Sequence, residues 1–145
     1  MKKSLRCICA AIFALAFCTG FVIHASAVER ASSYLTRYSA TVSASNNGAI
    51  EMSIFVVANK SVSELGASYI LLEESDDGGK TWSTAREYEG QSWMTAENRS
   101  SYSRTLSYQG TIGHQYRVTA EVFARDANGI DSRTTPTSSA VTAKR

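Results

Sequence analysis

Apolar and polar residues alternate along most of the chain after residue 37. The first regular segment, YSATVSA, places serine and threonine on one side and four apolar side chains on the other, at Tyr38, Ala40, Val42 and Ala44. A period of two predicts a half-buried β-strand. The Asn47-Gly48 pair that follows predicts a tight hairpin turn, because both residues accept positive φ.

Later segments repeat the alternation. Residues 49–59 carry apolar side chains on both faces, which predicts a central strand. Residues 60–66, KSVSELG, are interpreted as a loop, and residues 89–101 as either a short edge strand around Trp93 or only a loop. Further strands are predicted for residues 67–75, 80–88, 101–108, 116–124 and 130–143, the last one broken near Pro136, which cannot donate to a ladder.

These segments amount to about seven strands, with turn signals roughly every ten to fifteen residues and no useful helical stripe. The spacing predicts an all-β domain over residues 37–143, built as an antiparallel β-sandwich. Residues 28–36 are interpreted as a short polar lead-in to that domain.

The first 27 residues have a different character. A basic head and an apolar run are followed by Ala25 and Ala27 in the A-x-A arrangement that signal peptidase reads. These features predict a secretory signal peptide over residues 1–27, cleaved after Ala27, and hence a secreted, extracellular protein without a membrane span after cleavage. A lipid anchor on Cys18 is the alternative, which the bulky Phe17 before it disfavours.

Removal of the leader changes the composition. Cys7, Cys9 and Cys18 all lie within it, so the secreted chain would have no cysteine and would be held by its own core. The basic residues fall from 15 to 12 against 13 acidic residues, and the net charge changes from +2 to −1. A basic face that binds nucleic acid is therefore not expected.

The segment LSYQGTIGHQYRVTAEVFARDANG resembles the E–F–G region of fibronectin type III domains, where a loop with glycine leads into Tyr-x-Val-x-Ala on strand F. The resemblance implies that Tyr116 is a corner tyrosine, with Val118 and Ala120 as its inward partners. Such a tyrosine packs its ring in the core and turns its hydroxyl back to upstream backbone. An Ig-like relative without its disulfide is an equal alternative. The whole chain also resembles uncharacterised small secreted proteins of Gram-positive bacteria.

A second resemblance is confined to one turn. Its pattern S-x-D-x-G-x-T-W, formed by Ser75, Asp77, Gly79, Thr81 and Trp82, resembles the Asp box of bacterial sialidases and other propeller proteins. In such a turn the carboxylate accepts hydrogen bonds from turn amides, the glycine takes a conformation that other residues avoid, and the tryptophan covers the hairpin. We expect the same structural roles here.

One Asp box does not predict a sialidase. A propeller needs at least about four blades of four strands, which the roughly 118 residues after the leader cannot supply. Sialidases use an arginine cluster for the carboxylate and a Tyr–Glu pair for chemistry, and no motif unites Arg99, Arg104 and Arg117 into such a cluster. The sequence therefore favours a protein that is not an enzyme, with no catalytic residues.

Few other residues are candidates for a metal site or a catalytic site. Glu73, Glu74, Asp76 and Asp77 lack the D-x-D spacing of a calcium loop, so a solvated, charged turn is the preferred interpretation. His114 is the only histidine after the leader, which leaves little for a zinc site or a Ser/His triad. No metal or other cofactor is expected.

Aromatic residues supply the candidate ligand-binding surface, at Trp82, Tyr88, Trp93 and Tyr102. Flat rings bury much area with little loss of entropy, although packing in the core is the alternative role for each. Trp93, in the least regular segment, is the ring most expected to be exposed. The sequence thus predicts a binding or adhesion module at or outside the cell surface, with a protein or glycan partner. The alternative is a small carbohydrate-binding module.

Overall fold

The computed structural model describes residues 34–145, so the signal peptide interpretation, the alternative at Cys18 and residues 28–33 of the lead-in lie outside the described residues. The described chain contains β1 (Leu35–Ala44), β2 (Ala49–Ser75), β3 (Ser83–Glu89), a 3₁₀ turn (Ser92–Met94), β4 (Thr95–Gln109), β5 (Gln115–Asp126), β6 (Gly129–Thr134) and β7 (Val141–Thr142). All pairings are antiparallel, and the seven described strands belong to one curled sheet. The prediction of an all-β, antiparallel fold of about seven strands is confirmed.

β2 organises the sheet, because its 27 residues have different neighbours in each half. In the first half Ile54 lies between Ala40 of β1 and Arg104 of β4. In the second half Ile70 lies between Tyr88 of β3 and Ala120 of β5. One strand is therefore central in two successive three-stranded regions.

The interpretation of residues 60–66 as a loop was wrong, since the segment continues β2. Val62 pairs with Arg99 of β4, and Leu65 pairs with Ala96 of β4 and Ala124 of β5. Both apolar side chains are buried. Tertiary pairing on both edges outweighs the polar local composition, as is common for β-structure.

The core lies on the inward side of the curl. β5 follows the predicted alternation, because Tyr116, Val118, Ala120, Val122 and Ala124 are all buried. They face buried residues of β2, which include Ile50, Met52, Ile54, Val56, Leu65, Ile70 and Leu72. β1 begins at Leu35, two residues inside the segment interpreted as a lead-in, and Tyr34 and Leu35 also belong to the core.

Two features follow the sequence closely, the β1–β2 turn and the break in the last strand. Asn47 and Gly48 have φ values of 61° and 75°, as a tight β1–β2 hairpin requires. The last strand breaks around Pro136, since β6 ends at Thr134 and β7 begins at Val141. Between them, the Thr135 and Ser138 hydroxyls accept hydrogen bonds from Ala120 N and Val118 N, each at 3.0 Å, so side chains continue the ladder along β5.

Asp131 connects the two sides of the curl. Its carboxylate is 6% exposed and accepts hydrogen bonds from Tyr34 N at 3.2 Å and Leu35 N at 3.1 Å. β6 is thereby joined to the start of β1, although the two strands share no ladder.

Over residues 34–145, no helix has the length and apolar character that crossing a membrane would require.

Gly66 allows β2 to approach the 3₁₀ turn. A Cβ at this position would lie 2.1 Å from Met94 O and 2.8 Å from Thr95 Cα. Gly66→Ala is therefore expected to lower the free energy of unfolding by about 3 kcal/mol, measured by urea denaturation, because backbone must move to make room. Gly78→Ala is the control: Gly78 also has positive φ, but a Cβ there would meet no atom within 4 Å. Its expected cost is only about 1 kcal/mol, and equal losses would contradict the packing argument.

Candidate functional site

The Asp-box residues form one hydrogen-bonded turn between β2 and β3. The Asp77 carboxylate accepts from Ser75 Oγ at 2.8 Å, Lys80 N at 2.9 Å, Thr81 N at 2.9 Å and Thr81 Oγ1 at 2.6 Å. These bonds, led by that from the Thr81 hydroxyl, hold the pKa of Asp77 well below its usual value. The carboxylate is fully used in organising the turn.

Gly79 and Trp82 complete this turn. Gly79 has a φ of +88° and donates its N–H to Ser75 Oγ at 2.8 Å. Trp82 Nε1 donates to Gly79 O at 3.1 Å. The Arg117 guanidinium lies over the Trp82 ring, 4.2 Å from its centroid, and makes two hydrogen bonds to Glu73, at 2.7 and 3.0 Å. Trp82 therefore packs between the hairpin and β5.

The Tyr116 hydroxyl links a turn to the end of β2. It accepts a hydrogen bond from Thr111 N at 2.8 Å, which is upstream backbone, and donates to Glu74 Oε1 at 2.6 Å. His114 Nδ1 also lies 2.6 Å from Glu74 Oε1. The bond from Tyr116 is the main cause that lowers the pKa of Glu74, while burial is the main cause that raises the pKa of Tyr116. Sequence reasoning did not find Glu74 as the partner, because residues 74 and 116 meet only through the β2–β5 pairing.

A first cleft, of about 380 Å³, lies beside the Asp-box turn and is lined in part by Glu74, Thr81, Trp82 and His114. Its groups are largely engaged within the protein. Glu74 bonds Tyr116 and contacts His114, Thr81 bonds Asp77, and Trp82 bonds Gly79. Asp76 and Ser83, which also line this cleft, are exposed.

A second cleft, of about 480 Å³, lies along β3 and the 3₁₀ turn and is called the aromatic cleft here. Its lining residues are Arg86, Glu87, Tyr88, Glu89, Gln91 and Trp93. The Tyr88 and Trp93 rings meet edge to face, with centroids 5.5 Å apart and planes at 76°. Both rings are only half-buried, so part of each remains accessible.

Two residues that follow Trp93 in the sequence fix its position. The next residue, Met94, is 1% exposed and fixes the 3₁₀ turn to the core. Tyr102, on β4, is 6% exposed and donates its hydroxyl to Trp93 O at 3.0 Å. Burial is the main cause that raises the pKa of Tyr102. Tyr102 therefore fixes the backbone of Trp93, whose ring lines the aromatic cleft.

Of the four aromatic residues proposed from the sequence, the structure brings two together in this cleft. Tyr88 and Trp93 line it, Tyr102 lies buried behind it, and Trp82 lies in the Asp-box turn. The pairing of Tyr88 with Trp93 joins the end of β3 to the 3₁₀ turn that follows it in the chain.

Two arginines at the aromatic cleft were not anticipated. Arg86 lies over the Tyr88 ring at 5.4 Å from its centroid, and Arg104 lies over the Trp93 ring at 5.3 Å. Arg86 and Tyr88 are two residues apart on β3, so strand alternation alone would have placed them on one face. The contact of Arg104 with Trp93 depends on how β4 folds back along β2.

Within residues 34–145, no group of three or more histidine, cysteine, aspartate or glutamate side chains is arranged to hold a metal ion. Comparison of the chain with protein-family models and with curated proteins finds no match to either.

Tyr116→Phe is expected to lower the free energy of unfolding by about 1–3 kcal/mol, because Thr111 N and the part-buried Glu74 both lose a hydrogen-bond partner. Chemical denaturation measures the loss. Tyr108→Phe is the matched control, since its ring packs 5.9 Å from that of Tyr116 while its hydroxyl bonds no group among residues 34–145. A loss as large for Tyr108→Phe would argue against the hydroxyl contacts as the cause.

The lowered pKa of Asp77 makes stability depend on pH in a defined direction. The contribution is complete above the unfolded-state pKa, near 3.9, and is lost as the pH falls toward the folded-state value. Asp77→Asn should therefore unfold at lower urea than the wild type at neutral pH, and the gap should narrow below about pH 4. Urea midpoints across the acid range test this, with Asp76→Asn as the control expected to follow the wild type. A gap independent of pH would refute the assignment.

Proposed function

We propose that the protein is a secreted, non-enzymatic binding module that acts at or outside the cell surface through the aromatic cleft. The observation that carries the proposal is the half-buried, edge-to-face pair of Tyr88 and Trp93 in an open cleft with polar walls. Rigid rings with accessible area are typical of residues that dominate binding energy.

The disposition of acidic groups supports binding over catalysis. Asp77 is hydrogen-bonded within the Asp-box turn. Glu74 contacts Tyr116 and His114, and Glu73 pairs with Arg117. A general acid or base needs a carboxyl group free to reach a substrate proton. Glu73 and Asp77 use both carboxylate oxygens, and Glu74 uses Oε1, to hold strands and turns together.

A saccharide is the ligand class that the aromatic cleft favours. Sugar rings present an apolar face and a polar rim, and the cleft offers two aromatic rings beside the amide of Gln91 and the charged groups of Arg86, Glu87 and Glu89. A cleft with an aromatic floor and a few polar groups matches the usual composition of small-molecule sites. The carbohydrate-binding alternative is therefore preferred over an unspecified protein partner.

Kinship with fibronectin type III or Ig-like sandwiches is part of the proposal. The buried ring of Tyr116 and its bond to upstream backbone at Thr111 support it. So do the two three-stranded regions that enclose one core on either side of the bend in β2. Export rests on the leader-like composition of residues 1–27.

Retention on immobilised polysaccharides, neutral and acidic, tests the proposal. Trp93→Ala is expected to weaken retention at least about tenfold, because it removes half of the aromatic pair. Trp82→Ala is the matched control, since it deletes the same side chain from the Asp-box turn and should leave retention unchanged. Thermal unfolding of both variants separates loss of binding from loss of fold.

Failure of the wild type to bind any polysaccharide would reject a saccharide ligand. Equal weakening by the two tryptophan variants, with both still folded, would reject the aromatic cleft as the site.

A further inference from the structure

The aromatic cleft carries an ordered series of cationic and aromatic groups. Arg86 covers Tyr88, Tyr88 meets Trp93, and Trp93 is covered by Arg104, with successive separations of 5.4, 5.5 and 5.3 Å. We call this series the Arg–aromatic stack. Its members come from β3, the 3₁₀ turn and β4.

The Arg–aromatic stack lies along the rim of the core face. Arg86 pairs with Leu72, Tyr88 with Ile70 and Arg104 with Ile54, and all three β2 partners are fully buried. Paired residues on neighbouring strands point to the same face of a sheet. The two arginines thus project from the inward face, yet both side chains are exposed.

Neither arginine of the stack has a carboxylate partner within residues 34–145, whereas those of β5 and β6 do. Arg117 pairs with Glu73, Arg125 with Glu64 and Arg133 with Asp131. Arg117 and Arg125 also lie over rings, those of Trp82 and Phe123. The arginines of the stack therefore differ from these two in having a ring contact without an acidic partner.

The acids that line the aromatic cleft belong to the opposite face of β3. Glu87 pairs with Leu71 and Glu89 with Tyr69, one position out of phase with Arg86 and Tyr88. Glu87 also accepts a hydrogen bond from the Tyr69 hydroxyl at 2.8 Å. Among residues 34–145 no ion pair joins these acids to Arg86 or Arg104, so the donors of both guanidinium groups stay available.

A guanidinium that lies over a ring is held in place while its N–H groups remain directed outward. Its planar fork matches a carboxylate, which it can bind through two charge-assisted hydrogen bonds. Two such forks flank two rings here. The arrangement fits a ligand that has both a ring to stack and a carboxylate to bind.

We propose that the aromatic cleft selects carboxylate-bearing saccharides, such as polymers of uronic acids, over neutral ones. This inference rests on the proposed function and adds the charge of the ligand. Tyr88 and Trp93 contact sugar rings, while Arg86 and Arg104, at the two ends of the stack, each bind a carboxylate of the polymer.

The test compares each acidic polysaccharide with its own neutral derivative. Polygalacturonate and alginate are immobilised beside their methyl esters, with dextran as a neutral polymer and dextran sulfate as a sulfated one. Retention on a carboxylated polymer is expected to fall at least about tenfold after esterification, the change that loss of one charge-assisted hydrogen bond produces. It is also expected to weaken with added salt.

Variants test whether the two arginines cause the preference for carboxylated polymers. Arg86→Gln and Arg104→Gln are each expected to reduce retention on the carboxylated polymer at least about tenfold while binding to its ester stays unchanged. Arg37→Gln is the matched control, because Arg37 is another exposed arginine over a ring, 5.2 Å from the centroid of Phe55, but belongs to β1. Its retention should equal that of the wild type.

The other outcomes would overturn the carboxylate inference alone or the proposed saccharide function as well. Retention that survives esterification, or that is confined to dextran or dextran sulfate, overturns the carboxylate inference and leaves the aromatic cleft as a saccharide site. Binding to no polysaccharide at all overturns the proposed saccharide function, and the carboxylate inference with it.

Discussion

The bend of β2 is the constraint on which the other contacts depend. A straight strand of 27 residues would extend about 90 Å, far beyond the size of a domain of this length. Register shifts near residues 57–62 and 67–69 change which side chains face inward as the strand turns. The inward series thus passes from Ile54 and Val56 to Leu65 and then to Ile70. Extra residues of this kind bend a strand and increase its twist.

The aromatic cleft lies where this bend brings distant segments together. β3 and β4 pair with successive parts of the same edge of β2. The 3₁₀ turn between them therefore lies next to the bend and places Trp93 beside Tyr88. An exposed edge such as β4 invites pairing with other chains, and an inward-pointing charge is one known protection against it. Arg104 has that position on β4, so its charge is placed to protect this edge.

Local features of the fold could be predicted from the sequence, and long-range ones could not. The β1–β2 turn follows from Asn47-Gly48, and the alternation of β5 from its residues alone, because each depends on near neighbours. The continuity of β2 through residues 60–66 depends on partners more than thirty residues away along the chain. The same holds for the site: the ring of Trp93 was singled out, but its contact with Arg104 and the burial of Tyr102 require the β2–β4 register.

Two hydrogen bonds made by the last residues of the chain have a consequence for the order in which the domain folds. Gly48 N donates to Lys144 O at 2.7 Å, and Gly113 N donates to Ala143 O at 3.0 Å, so two turns from separate parts of the domain are closed by the same late residues. A chain that emerges from its amino end first cannot complete either closure until residues 143 and 144 are available. Contacts of such wide sequence separation slow folding, so both turns are expected to close late in the folding of the domain.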